Sequence, residues 1–307
     1  MRTIQLVNGD MSTLLCPEIG GAVARLAWRG LDILRPTPQT AIEQGQIRQM
    51  GIFPLVPYSN RIGNGLLPLE GKAYALLRGN FLPEPHSIHG FGWQRVWQVD
   101  QQDATSVSLV LKHASDDDWP FSCECRMQFV LSKQGLSLQL SVRNDDAQTM
   151  PTGLGFHPYF PVDANTSLRA GWSGYWMMNT DNLPVLHKVL EPPTQARKLI
   201  GWHVDNCFTG WQGRATLNYA SHRTVIEASP ECPYIVCFRP ADGRPFIALE
   251  PVSHVNNAHQ LERRGVHQTG LRWLKTGESF SISMGINIVL ESAISNDANN
   301  ILTARAQ

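Results

Sequence analysis

The sequence has no excess charge of either sign: 26 lysines and arginines face 26 aspartates and glutamates, for a formal net charge of zero. Charged residues make up only 17% of the chain. That is too little and too even for the basic face that nucleic acid or an anionic membrane attracts. Long apolar runs are missing as well. No stretch approaches the roughly 20 apolar residues needed to cross a bilayer, and the opening "MRTIQLVNGDMSTLLCPEIGG" has no signal-peptide core. A soluble, cytoplasmic protein with no nucleic-acid and no membrane partner is therefore expected. The six cysteines form no C-x-x-C pair, which leaves a zinc ribbon, a dithiol redox site or a disulfide framework without support. No HExxH, GxSxG or P-loop pattern is present, so the corresponding metalloprotease, serine-hydrolase and phosphate-cradle chemistries find no motif. Finally, no segment carries a long amphipathic helical period.

What the chain does have is 42% apolar residues, enough for a substantial core, arranged with a period of two. In "CECRMQFVL" Cys123, Cys125, Met127, Phe129 and Leu131 share one face. In "LSLQLSV" Leu136, Leu138, Leu140 and Val142 do the same, and "SKQG" between them supplies the turn of a β-hairpin. Further strands are expected at Val107–Leu111, Ala215–Tyr219, Tyr234–Phe238, Phe246–Glu250 and Phe280–Leu290. Many strands with frequent turn residues and no β-α-β alternation predict an all-β fold, a sandwich or barrel of antiparallel sheets. With no clean linker or internal repeat, residues 1–295 read as a single domain, followed by a polar tail at 296–307. The segment Pro161–His203, with Pro184, Pro192 and Pro193, reads as irregular and as the wall or lid of a site.

Four stretches hold residue types suited to chemistry. In "PLVPYSNRIGNG" Asn60 and Arg61 lie among prolines and glycines; the guanidinium offers five donors for hydroxyls or a carboxylate, or caps a turn. In "RGNFLPEPHSIHGFGW" His86 and His89 have the spacing of a metal pair, but nothing completes the ligand set and the prolines oppose a helix. No metal is expected there, and His89 beside Gly90 reads as a ligand-facing histidine. In "TGLGFHPYFPV" His157 is stiffened by Pro158 and flanked by Phe156, Tyr159 and Phe160 as apolar walls. Such a histidine is either a packed core residue or a proton donor, since its reference pKa of about 6.5 suits transfer near neutral pH. In "RPFIALEPVSHVNNA" alternation puts Phe246 and Ala248 on the face of Glu250 and Ile247 and Leu249 opposite. A carboxylate so placed either pairs with Arg61 or Arg244, or meets a ligand as a base strengthened by burial. Asp205 in "VDNCFTGW" is a hydroxyl acceptor or a turn residue.

Taken in order, "NRIGNG", Asn80 with His89-Gly90, "GLGFHPYF", "DNCF" and "LEPVSH" resemble the aldose 1-epimerase (galactose mutarotase) family over most of the chain, from about Ile4 to Leu290. The resemblance implies a large antiparallel β-sandwich with an open sugar-binding cleft, and interconversion of the α and β anomers of a hexose such as glucose or galactose without a cofactor. It implies Glu250 as catalytic base and His157 as catalytic acid, with Arg61, His89 and Asp205 holding the sugar and Asn60 beside them. A carboxylate near His157 is expected to keep it protonated. The implied partner is a small-molecule sugar, for a monomer or homodimer. One departure is visible: Phe91 follows Gly90 where galactose-active members commonly carry a second glycine.

Three rival readings remain at this level. A mutarotase for phosphorylated hexoses needs basic residues beside the cleft, for which Arg61 and Arg78 stand as candidates. A non-catalytic sugar-binding domain would have no use for both Glu250 and His157. A glycoside hydrolase needs two flanking carboxylates, with Asp205 or Glu231 beside Glu250, and leaves His157 without a role.

Overall fold

The structure, a computed structural model, describes residues 2–69, 72–76, 85–193 and 195–290. Arg78, Asn80 and the tail at 296–307 lie outside the described residues. Every strand expected from alternation is present, lengthened by a few residues or trimmed by one. Cys123–Leu131 and Gly135–Asn144 form the hairpin, with Cys123 opposite Asn144 and Leu131 opposite Leu136. Gly135 is required there because a Cβ would overlap the Ile286 carbonyl of Ser279–Leu290, the next strand over.

These strands belong to a nine-stranded antiparallel sheet. Its centre runs Ser106–His113, Cys123–Leu131, Gly135–Asn144, Ser279–Leu290 and His222–Ala228. A second, eight-stranded sheet contains Gly174–Met178, Val204–Thr209, Tyr234–Arg239, Phe246–Val252 and Gly155–Phe156 in that order, and Tyr159–Pro161 also pairs with Phe246–Val252. The inner faces of both sheets feed one apolar cluster, with Met127 and Phe129 from the first and Phe156, Ile247 and Leu249 from the second. That arrangement is a large antiparallel β-sandwich.

All seven residues of Phe246–Val252 are buried, which a strand with one solvated face would not show. Ile247 and Leu249 enter the sandwich core, whereas Phe246 and Ala248 join a separate cluster with Phe53, Trp93 and Tyr159. The face that carries Glu250 is therefore roofed by something other than the opposing sheet.

The expectation of irregular chain at Pro161–His203 is corrected. Ser167–Ala170 and Arg197–Lys198 join the nine-stranded sheet, and Gly174–Met178 and Pro184–Val189 the eight-stranded one. These strands are short and peripheral. After Pro184 every residue of Pro184–Val189 is exposed, so no buried–exposed alternation marks it in the sequence. The described helices are brief; Gln39–Glu43 and Ala258–Arg263 are the two α-helices. Among the described residues no helix is long and apolar enough to cross a membrane.

Candidate active site

Strand register explains why His157 and Glu250 meet. Gly155 pairs with Val252 and Tyr159 with Ala248, so the same count sets His157 across from Glu250. Pro158 has no N–H and interrupts the ladder there, while its carbonyl still accepts from Leu249 N at 3.3 Å. On the other side His157 N donates to Phe53 O at 3.0 Å. The backbone is thus fixed from two sides, and the imidazole Nε2 lies 3.2 Å from Glu250 Oε1.

Period two then sorts the neighbours. His157 and Tyr159 face one way, Phe156 and Phe160 the other, into the sandwich core. The expectation that Phe156 and Phe160 wall the site is therefore overturned. Phe53 supplies the wall instead, its ring centroid 4.6 Å from that of His157, with Trp93 stacked behind it at 5.6 Å. Tyr159 stacks on His157 at 4.6 Å, and its hydroxyl lies 3.4 Å from Nε2.

Asp205 reaches the same face through the sheet. It pairs with Phe238 and Phe238 with Ala248, two rows along from the row that joins Cys207, Val236 and Glu250, and therefore on the same face. Arg61, on the short strand Arg61–Ile62, pairs with Ile88. Asn60, at a positive φ of 58°, accepts from Arg61 N at 3.0 Å and Nη1 at 3.3 Å through its side-chain oxygen. A cavity of about 130 Å³ brings together all six expected residues: Asn60, Arg61, His89, His157, Asp205 and Glu250.

His89 is held in one tautomer. Its Nδ1 accepts from Asn60 N at 3.1 Å, so Nε2 carries the proton and is a donor; the His89 backbone N–H donates to Asn60 O at 2.9 Å and fixes the corner. Burial, with Arg61 adding, lowers its pKa to about 3. It is a neutral donor at any physiological pH. Its φ of 62° and that of Gly90, 69°, place both in the left-handed region. A Cβ on Gly90 would overlap the Val56 carbonyl. Gly90→Ala is accordingly expected to destabilise the protein by about 3 kcal/mol, measured by urea denaturation; an unchanged midpoint would contradict the close approach.

His86 turns elsewhere, with Nδ1 accepting from Asn64 N at 2.9 Å and Nε2 3.1 Å from Asp181 O. Phe91, the departure after Gly90, stacks on His113 at 4.0 Å inside the core and does not line the cavity. Glu250 does not pair with Arg244, whose partner is Asp242 at 2.9 Å. Glu231 is exposed in the turn before Tyr234–Arg239 and lines no part of the cavity.

His254, in "LEPVSH", is a residue to which the sequence reading gave no role. Its Nδ1 donates to Val255 O at 2.7 Å, leaving Nε2 to accept from Ser59 N at 3.0 Å. It thereby pins the corner that presents Asn60 and Arg61. A Cβ on Gly153 would overlap its ring.

Burial pushes Glu250 well above the usual carboxylate range, with Asp205 adding and Arg61 opposing. Burial likewise pushes His157 well below the usual imidazole range, with His89 and Arg35 adding. The expectation that a nearby carboxylate keeps His157 protonated is corrected: the carboxylate is adjacent, but desolvation outweighs it. The two shifts, His157 down and Glu250 up, both favour the neutral pair, with a proton on the carboxyl and none added to the imidazole. Oε1 and Nε2 are close enough for that proton to change sides. Among the described residues Glu250 Oε2 has no hydrogen-bond partner, so it can accept a hydroxyl from a ligand.

Comparison with known proteins bears on the family and the fold. The family model described as aldose 1-epimerase matches residues 2–286. The chain is similar to the Escherichia coli (strain K12) protein YphB, named as uncharacterised: they are 30% identical over 285 residues, covering 87% of this chain and 93% of that protein. A crystal structure from Escherichia coli K12, of a candidate aldose 1-epimerase, superposes with a TM-score of 0.84 at 28% identity, over 94% of this chain and 99% of that one. A galactose mutarotase-like protein from Clostridium acetobutylicum gives 0.83 at 22% identity over 94% and 95%, a likeness that speaks for the fold alone. With a family match of this extent, carried by the same sandwich, the chain belongs to the aldose 1-epimerase family.

Proposed function

We propose that the protein is a mutarotase that interconverts the α and β anomers of a hexose by acid–base ring opening and closure, and that the cavity is its sugar-binding cleft. The observation that carries this is the 3.2 Å contact between His157 Nε2 and Glu250 Oε1 at a buried cavity wall. The shared proton must first sit on His157. The positive charge of Arg61, which favours ionised Glu250, and a sugar hydroxyl donating to Oε2 both favour that state.

The Glu250 carboxylate then takes the proton from the anomeric hydroxyl while the His157 imidazolium gives one to the ring oxygen. The C1–O5 bond breaks, leaving the open-chain aldehyde. Rotation about C1–C2 presents the other carbonyl face, and the same transfers in reverse close the ring. Each positioned proton transfer contributes about 10²–10⁴-fold. Nε2–H of His89, Arg61 and Asp205 are placed to hold hydroxyls. Hydrolysis by paired carboxylates is less well served: Glu231 lines no part of the cavity, and a pair of Asp205 with Glu250 would leave His157 idle.

Polarimetry on freshly dissolved α-glucose and α-galactose tests the reading. Equilibration well above the blank is expected for at least one of them; a rate equal to the blank for both would reject it for these hexoses. The pH profile is a separate check. Activity needs one proton on the pair, so the rate should fall in acid, when both groups are protonated, and in alkali, when neither is. Because His157 is shifted down and Glu250 up, the acid limb belongs to His157 and lies below its ordinary value of about 6.5, while the alkaline limb belongs to Glu250 and lies above its ordinary value of about 4.3. A flat rate across acid and alkali alike would contradict a shared proton.

A further inference from the structure

Beside the cavity lies a second and much larger chamber, of about 810 Å³ against 130 Å³. The two share Arg48, Tyr159 and Phe238 as lining residues, so one opens beside the other across the Tyr159 ring. Its lining is cationic: Arg35, Arg48 and Arg244, with no aspartate or glutamate among the described residues. We propose that this chamber binds an anionic group carried by the substrate at a position remote from C1, so that the preferred aldose bears a phosphate, sulfonate or carboxylate. The proposal rests on the mutarotase reading and names its substrate class.

The arginines are arranged for such a group. Arg35 is locked in place: its Nη2 donates to Arg48 O at 2.8 Å and Met50 O at 3.0 Å, and its guanidinium lies 3.8 Å from the Tyr159 centroid and 4.7 Å from that of Phe246. These contacts fix the group without neutralising it, and they leave Nε and Nη1 as donors. Arg244 lies over the same Phe246 ring at 5.1 Å. Gathering like charges around one ring is costly in isolation; an anion between them turns that cost into charge-assisted hydrogen bonds. Asp242 satisfies part of Arg244 but does not line the chamber. The earlier sequence candidates for such a group were Arg61, which belongs to the smaller cavity, and Arg78.

Occupancy would also reach the chemistry. Burial is the main reason His157 resists a proton, and His89 and Arg35 add to it. An anion on Arg35 offsets that last contribution and favours the imidazolium that ring opening uses. A charged sugar should therefore gain in kcat as well as in KM.

The test compares kcat/KM for glucose 6-phosphate, glucuronate and glucose in the parent protein and in Arg244→Gln and Arg48→Gln, with calorimetric titration of glucose 6-phosphate alongside. A preference for at least one charged sugar over glucose of about tenfold or more is expected, falling about tenfold in Arg244→Gln and shrinking as salt is raised from about 0.05 to 0.5 M. The phosphate and carboxylate arms identify which anion fits. Turnover of all three sugars at similar efficiency, or a preference untouched by both substitutions, overturns the chamber's role and leaves the mutarotase reading standing. Binding of glucose 6-phosphate that is weakened by Arg244→Gln, with no turnover of any sugar, keeps the chamber and overturns the mutarotase reading. Neither binding nor turnover overturns both.

Discussion

Glu250→Gln is expected to lower anomer interconversion by about 10³-fold or more while leaving the fold intact. Glutamine keeps the shape of the side chain and can still donate to His157, but it cannot hold or release the shared proton. The variant also removes an ionisable group that burial disfavours, so its thermal midpoint should stay level or rise. His157→Asn should lose a similar factor, because the proton for the ring oxygen then has no donor at that position. Since the two residues act on one proton, the double variant should cost little more than either single one. Polarimetry with a parallel thermal melt checks all three proteins. A Glu250→Gln protein that equilibrates anomers at the parental rate would remove the assignment of the base; two independent losses that multiply would remove the shared proton.

The second large effect is acid instability. Burial lowers the pKa of His89 to about 3 and of His254 to about 4, and pushes His157 and His259 well below the usual range. Their folded values are depressed relative to the unfolded value of about 6.5. Each therefore contributes stability that is fully present above about pH 6.5 and lost as pH falls toward the folded value, because the unfolded chain takes up a proton that the folded one refuses. The slope approaches about 1.4 kcal/mol per pH unit for each such histidine. Glu250 is shifted the other way and offsets His157 over this range, so His89, His254 and His259 carry the net loss, which can consume most of the 5–15 kcal/mol or so of an ordinary domain by about pH 4. The thermal midpoint should accordingly drop steeply between pH 6.5 and 4. A midpoint that stays level from pH 7 to pH 5 would contradict the burial of these imidazoles.

How much of this was legible in the sequence varies by element. The hairpin and the long strands were, because alternation over eight or more residues survives the noise of single substitutions. Pro184–Val189 was not, since a peripheral strand with little to bury leaves no periodic trace. The cavity wall was misassigned for a related reason. Phe156 and Phe160 flank His157 in sequence, yet a strand sends neighbours to opposite faces, and the true wall, Phe53, comes from a segment a hundred residues away. Phe91 read as a change in the site; its ring packs in the core instead. His254 lay in plain view at the end of "LEPVSH", but its task of accepting Ser59 N–H depends on a contact across 195 positions.

The sequence by itself determined the all-β class, the family and six of the polar residues that line the cavity; Arg48, a further one, it did not. Period-two patterning and short motifs are local properties, and local properties can be read along a chain. Only the tertiary structure decided that His157 Nε2 and Glu250 Oε1 stand 3.2 Å apart in a buried wall, that His89 accepts from Asn60 N through Nδ1, and that three arginines gather next to the cavity. Those outcomes depend on desolvation and on distances between segments far apart in the chain, and both come into being when the sheets pack.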